Sequence, residues 1–285
     1  LTRKVVNINK LSDNSSLAKT KMPRIQQDSM VTFSTKIPSD KDICNIVSGV
    51  FLIDERLVLC DQANGNLKLF DRDLQFLSQL KLGAGLQCVC RVDEGTVAVN
   101  TKTDIKFVSV CNTLRQLRSI SVADGGCYGI ASCQHNIIVH MYELGAGDLL
   151  FTYDNSDKII NRILLFDTLS VYNTHCVSQD GQRIYYTTKN TVVTMDMKGN
   201  VSNTFQSNDL RGVSGITVDK QGIIYCCGNA SQTVVTVTAE GRQLGILLSG
   251  DHGLKDPQGI CLSNMNNMIS VIERRSNDVK VFKIT

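Results

Sequence analysis

A chain of 285 residues that is 42% hydrophobic is long enough for one large domain, and three prolines with 21 glycines exclude low-complexity and collagen-like classes. No apolar run approaches the roughly 18 residues that cross a bilayer, so no membrane partner is expected. The net charge of +3 is unevenly placed: residues 1–27 hold six bases and one acid, a balance of +5, which leaves −2 on the other 258 residues. Eleven cysteines form an odd number, and most fall inside strand-like segments. They read as reduced, buried residues of a cytoplasmic protein rather than as a disulfide scaffold. The start at Leu1, with neither Met nor an apolar leader, is expected of a piece cut from a longer protein.

In chain order, residues 1–27 read as a linker or basic arm, although Val5-Val6-Asn7-Ile8 has the composition to pair with a strand edge. Residues 30–37, Met-Val-Thr-Phe-Ser-Thr-Lys-Ile, alternate as a strand does. A pattern then recurs six times. Taking Gly49, Cys88, Gly129, His175, Gly215 and Gly259 as equivalent, the spacings are 39, 41, 46, 40 and 44 residues. Each position opens a β-branched segment, followed by a second such as Leu57-Val58-Leu59-Cys60 or Ile224-Tyr225-Cys226-Cys227. Third segments follow at 67–70, 105–108, 233–237 and 279–282, separated by turn pairs such as Asn64-Gly65 and Asp180-Gly181.

A β-type period near 42 residues specifies a propeller. The last repeat ends at Thr285 after three strands, so residues 30–37 are expected to supply its fourth. The predicted fold is all-β: a six-bladed β-propeller over 28–285 with an N-terminal strand closing the last blade.

Ser214-Gly215-Ile216-Thr217-Val218-Asp219 with Gly222-Ile223-Ile224-Tyr225, and Leu59-Cys60-Asp61 through Lys68-Leu69-Phe70-Asp71, resemble the NHL repeat. Val271-Ile272-Glu273 through Val279-Lys280-Val281-Phe282 repeats the second half. The stretches from Cys44 to Asp71 and from Gly126 to Ile130 are similar to the divergent NHL-type propellers of tripartite-motif (TRIM) proteins, particularly invertebrate ones. The resemblance implies the partner- or substrate-recognition part of a TRIM-type ubiquitin ligase. The RING, B-box and oligomerising coiled coil of such a parent lie outside this sequence. It also implies an alternative, since some NHL propellers bind RNA.

No Cys-x-x-Cys pair, phosphate loop, nucleophile elbow or His-Glu-x-x-His occurs, so neither metal, cofactor nor catalysis is expected. Cys88 and Cys90 share one strand face, but no further ligand lies near them in sequence. Cys60, His140 and Cys227 share a repeat position, but in alternate blades, too far apart to converge. His175 replaces Gly on the innermost strand of blade four and is expected to face the central channel, where no acid cluster accompanies it.

The loops that follow second strands, and those between blades, fall on one rim, with seven bases against ten acids. That balance does not favour phosphate binding. The expected partner-binding residues are Tyr142, in a long loop from Met141 to Asp148, His140 beside it, and Lys189, Arg211, Lys255, Arg274 and Arg275.

Overall fold

A computed structural model describes residues 20–122, 126–165, 174–263, 265 and 267–285. These residues form six antiparallel four-stranded sheets. The strand that closes the ring is β1 (Val31–Ser34). Blade one is β2 (Ile46–Phe51), β3 (Leu57–Asp61), β4 (Asn66–Phe70) and β5 (Phe76–Lys81). Blade two is β6 (Cys88–Arg91), β7 (Thr96–Asn100), β8 (Asp104–Val110) and β9 (Leu114–Ser121). Blade three is β10 (Cys127–Cys133), β11 (Asn136–Glu143), β12 (Gly147–Tyr153) and β13 (Ile159–Leu164). Blade four is β14 (His175–Val177), β15 (Arg183–Thr187), β16 (Val192–Asp196) and β17 (Val201–Phe205). Blade five is β18 (Val213–Val218), β19 (Ile224–Gly228), β20 (Thr233–Val237) and β21 (Gln243–Leu248).

The sixth blade is made from both ends of the chain. Its order is β1, β24 (Asp278–Lys283), β23 (Met268–Glu273) and β22 (Pro257–Leu262). Val31 pairs with Val281 and Ser34 with Asp278. The seam extends at both ends of β1. Thr35 donates its backbone N–H (2.6 Å) and its hydroxyl (2.8 Å) to the Asn277 carbonyl. Arg24 and Thr285 exchange backbone hydrogen bonds of 3.0 and 2.9 Å, and Gln26 donates to Lys283. Residues 24–26, assigned from sequence to a linker, therefore lie against the sheet. The arm's Arg3, Lys4, Lys10 and Lys19, and Val5–Ile8, lie outside the described residues.

The core is distributed between blades. Each of the six interfaces carries one apolar cluster, for example Val58, Leu67 and Leu69 against Val97, Val99 and Val108 between blades one and two. The ring closes with Leu57, Leu59 and Phe70 of blade one against Ile272 and Val279 of blade six. Middle strands are covered on both faces, so β3, β4, β19 and β20 are buried at every position. Outer strands such as β5 and β13 expose alternate residues instead. Near the axis blades five and six converge so closely that glycine is needed: a Cβ on Gly215 would lie 3.0 Å from the Cα of Gly259.

Candidate functional site

All six innermost strands line an axial channel of about 590 Å³. Among the described residues no aspartate or glutamate lines it; Arg91 carries a formal charge there, beside His135, Ser, Thr, Gln, Cys and apolar groups. His175 lines it as expected, buried, with Nε2 3.0 Å from the Ile138 carbonyl. Burial and the neighbouring His140 lower its pKa from the ordinary 6.5 to about 4, and the bond to the Ile138 carbonyl offsets only part of that. A wall without a described carboxylate lacks the anionic oxygen ligands of calcium sites and a carboxylate partner for His175 in acid–base chemistry.

The sign of the His175 shift gives a prediction. A histidine whose folded pKa is depressed binds its proton in the unfolded chain first, so stability falls as pH drops from about 6.5 to about 4. The loss attributable to His175 approaches about 3 kcal/mol. Urea unfolding at pH 7 and pH 4.5 should show a smaller acid loss in His175→Gln than in the parent chain. Equal losses would contradict the assignment.

Antiparallel hairpins place the second-to-third-strand turns and the blade connections on one rim, called here the upper one. Tyr142, Lys189, Arg211, Lys255, Arg274 and Arg275 are all exposed on it. His140 is corrected: it is only 1% exposed, with Nε2 2.7 Å from Asp148 Oδ1, so it braces the hairpin rather than meeting a partner. The expected long loop is corrected too. β11 runs to Glu143 and β12 starts at Gly147, so the extra residues lengthen the two strands and leave a three-residue turn. Leu144 at its tip is 84% exposed.

Two of the acids counted on this rim are internal. Asp61 is buried against Lys68, and Glu273 is buried with Lys280 Nζ 2.5 Å away while also accepting from the Lys255 backbone at 2.7 Å. The rim is therefore less acidic than the sequence count. Reading loops alone also missed Lys81, which ends β5, Lys106, within β8, and Lys36, in the closing segment.

Asp40, Cys44 and Asp61 converge as metal ligands would, their ligand atoms all lying within 4.8 Å of one another. Their shared position is filled by the ammonium of Lys68, 2.6 Å from Asp40 Oδ2, 2.8 Å from Asp61 Oδ2, 2.9 Å from the Thr35 carbonyl and 3.4 Å from Cys44 Sγ. The donor set is thus spent on a fixed cation. Cys44 is pushed up to about 11, mainly by burial. The thiols lining the channel are likewise raised by burial, Cys88 to about 11 and Cys90 and Cys261 to about 12, so none offers an appreciable thiolate at neutral pH.

Geometry and site together define a six-bladed propeller whose channel, without a described carboxylate, is bordered by a charged rim. Among known proteins, the chain is 21% identical over 265 residues to the bovine E3 ubiquitin-protein ligase TRIM56, 22% over 268 to the human protein and 23% over 266 to that of the mouse. Each match takes in 89% of this chain, which spans about a third of the length of these curated relatives. No protein-family model matches. Among solved structures, virginiamycin B lyase of Staphylococcus aureus aligns with TM-score 0.64 at 10% identity, over 90% of this chain and 99% of its own. A streptogramin B lyase aligns at 0.65 and 12%, over 90% and 98%. The Myceliophteria thermophila Cps50 (Swd1) propeller domain aligns at 0.61 and 11%, over 85% and 84%. At such identities these structures share the fold alone.

Proposed function

We propose that this chain is a non-catalytic, NHL-like recognition propeller of a TRIM-type ubiquitin ligase, holding a protein partner or ligase substrate on its upper rim. One observation carries the reading: the exposed candidate side chains share a single rim, while among the described residues no carboxylate lines the channel. The similarity to TRIM56 over 89% of the chain supports the parent's class. Transfer of ubiquitin belongs to modules outside this chain, as does the coiled coil proposed to make the parent oligomeric. The lyase neighbours share only the fold with this chain, and among the described residues no carboxylate lines the channel.

RNA is the alternative partner, favoured by Lys189, Arg211, Lys255, Arg274 and Arg275 sharing one rim. Titration of residues 20–285 with structured RNA at two salt concentrations tests it. The protein reading expects weak binding at physiological salt, changed little by Arg274→Glu with Arg275→Glu. Tight binding with a steep salt slope, abolished by those two changes, would reverse the order.

A further inference from the structure

We infer that the upper rim of blades one and two is a docking site for an acidic protein segment that carries an apolar side chain. The inference rests on the protein-recognition reading above and assigns that reading a place and a partner chemistry. Five lysines come together here from four separate parts of the chain. Lys36 and Lys41 lie in the connection that follows β1, Lys81 ends β5, Lys102 lies in the β7–β8 turn, and Lys106 lies on β8. Their contacts show that they are neighbours. Lys81 donates its ammonium to the Asn64 carbonyl, and the Asn64 side chain accepts from the backbone of Lys41 at 3.1 Å. Lys36 donates to the carbonyl of Asp42, whose N–H bonds the same Asn64 side chain at 3.0 Å. Lys106 reaches the Leu82 carbonyl at 2.8 Å, one residue beyond Lys81, and the stem of Lys102 lies beside Gly85 in the same connection.

Three of these ammonium groups thus rest on backbone carbonyls, which position them without neutralising them. None of the five forms an ion pair with a described carboxylate. Among the described residues, the acids nearby are either engaged or few. Asp40 and Asp61 are buried on Lys68, Asp104 accepts from Thr103 and Ser121, and Asp42 is exposed. The patch is therefore positive on a body whose residues 28–285 sum to −2. Such a surface attracts an anionic partner and speeds the encounter.

Ile43 decides which kind of anion. It follows Lys41 and Asp42 in the same connection and is 65% exposed. A branched aliphatic side chain gives a base no flat face to stack on, and no exposed aromatic lies among the five lysines. It does offer contact area to a Leu or Ile of a peptide. Lysines, moreover, act as point charges that suit carboxylates arranged along an irregular chain, without the bidentate geometry of arginine.

The test uses fluorescence anisotropy of the full chain with three probes: a glutamate-rich peptide containing one leucine, an all-glutamate peptide, and single-stranded polyuridylate of matched charge. Lys41→Glu with Lys81→Glu and Lys102→Glu should weaken the leucine-containing peptide at least about tenfold. Ile43→Ser should weaken that peptide roughly threefold or more and leave the all-glutamate peptide unchanged. Arg274→Glu with Arg275→Glu should leave both unchanged, and the melting temperature should show every variant folded. The site is wrong if no peptide binds, or if the lysine changes leave binding intact. It is also wrong if polyuridylate binds more tightly and Ile43→Ser is silent, which would make the patch a nucleic-acid surface. If the Arg274 and Arg275 changes alone abolish peptide binding, this site fails while protein recognition by the rim stands.

Discussion

Lys68→Met is expected to destabilise the fold by about 3–5 kcal/mol, because it strands two carboxylates in a site with no water to receive them. Lys68, Asp40 and Asp61 have side chains with no solvent exposure, and the ammonium makes bonds of 2.6 and 2.8 Å to the two acids. Burial works against each charge, but the mutual bonds prevail: Asp61 is lowered below its ordinary 3.8 and Lys68 is raised above 10.5. The signs fix a pH window. Stability from a depressed carboxylate is present above its unfolded pKa and disappears as pH falls through the folded value. Stability from a raised lysine is present below 10.5 and disappears only as pH climbs through the folded value. The deficit of Lys68→Met should therefore be greatest at neutral pH and shrink in acid, where the stranded carboxylates can take protons. Urea unfolding at pH 7 measures it, and a loss under about 1 kcal/mol would show the cluster to be dispensable.

Removing the closing strand should cost still more. A chain beginning at Pro38 lacks all of β1, leaves β24 as a bare edge, and loses the Thr35 carbonyl that accepts from Lys68. The same cut removes both Thr35 bonds to Asn277 and the pairing of residues 24–26 with 283–285. Because the core consists of six blade-to-blade interfaces, opening one seam weakens the cluster in which Phe33 packs beside Phe70, Ile272 and Val279. Scanning calorimetry of this chain should show no cooperative transition at the temperature where a chain beginning at Thr20 melts. Coincident transitions would mean that the ring holds without its seam.

The six-fold architecture was legible because inner and second strands repeat at fixed spacing, and burial on two faces forces β-branched and aromatic residues into them, as in β19. Outer strands were harder to read. β13, Ile159–Leu164, and β17, Val201–Phe205, face water on one side and carry no fixed residue type that the repeat would enforce. The site was legible only in part. Six of the seven expected rim residues are exposed where topology put them, but sequence has no sign for depth, so His140 was placed on a surface it does not reach. Depth likewise hid the Lys68 cluster: Lys68 reads as an ordinary outward residue of an alternating strand, until blade six and the 35–44 connection cover it. The lysine patch escaped because its members are 70 residues apart in sequence, from Lys36 to Lys106, and only the blade connections bring them together.

The most direct test of partner recognition on one rim compares capture by the chain from RNase-treated lysate with capture by two sets of charge reversals. The upper-rim set changes Lys41, Lys81 and Lys102 together with Arg211, Lys255, Arg274 and Arg275 to Glu; the opposite-rim set changes Arg72, Lys198 and Arg242, which lie in third-to-fourth-strand turns. Quantitative mass spectrometry should show a defined group of proteins lost with the upper-rim set, retained with the opposite-rim set, and unaffected by RNase. Loss on RNase treatment alone, or loss with the opposite-rim set while the upper-rim set binds normally, would contradict the account.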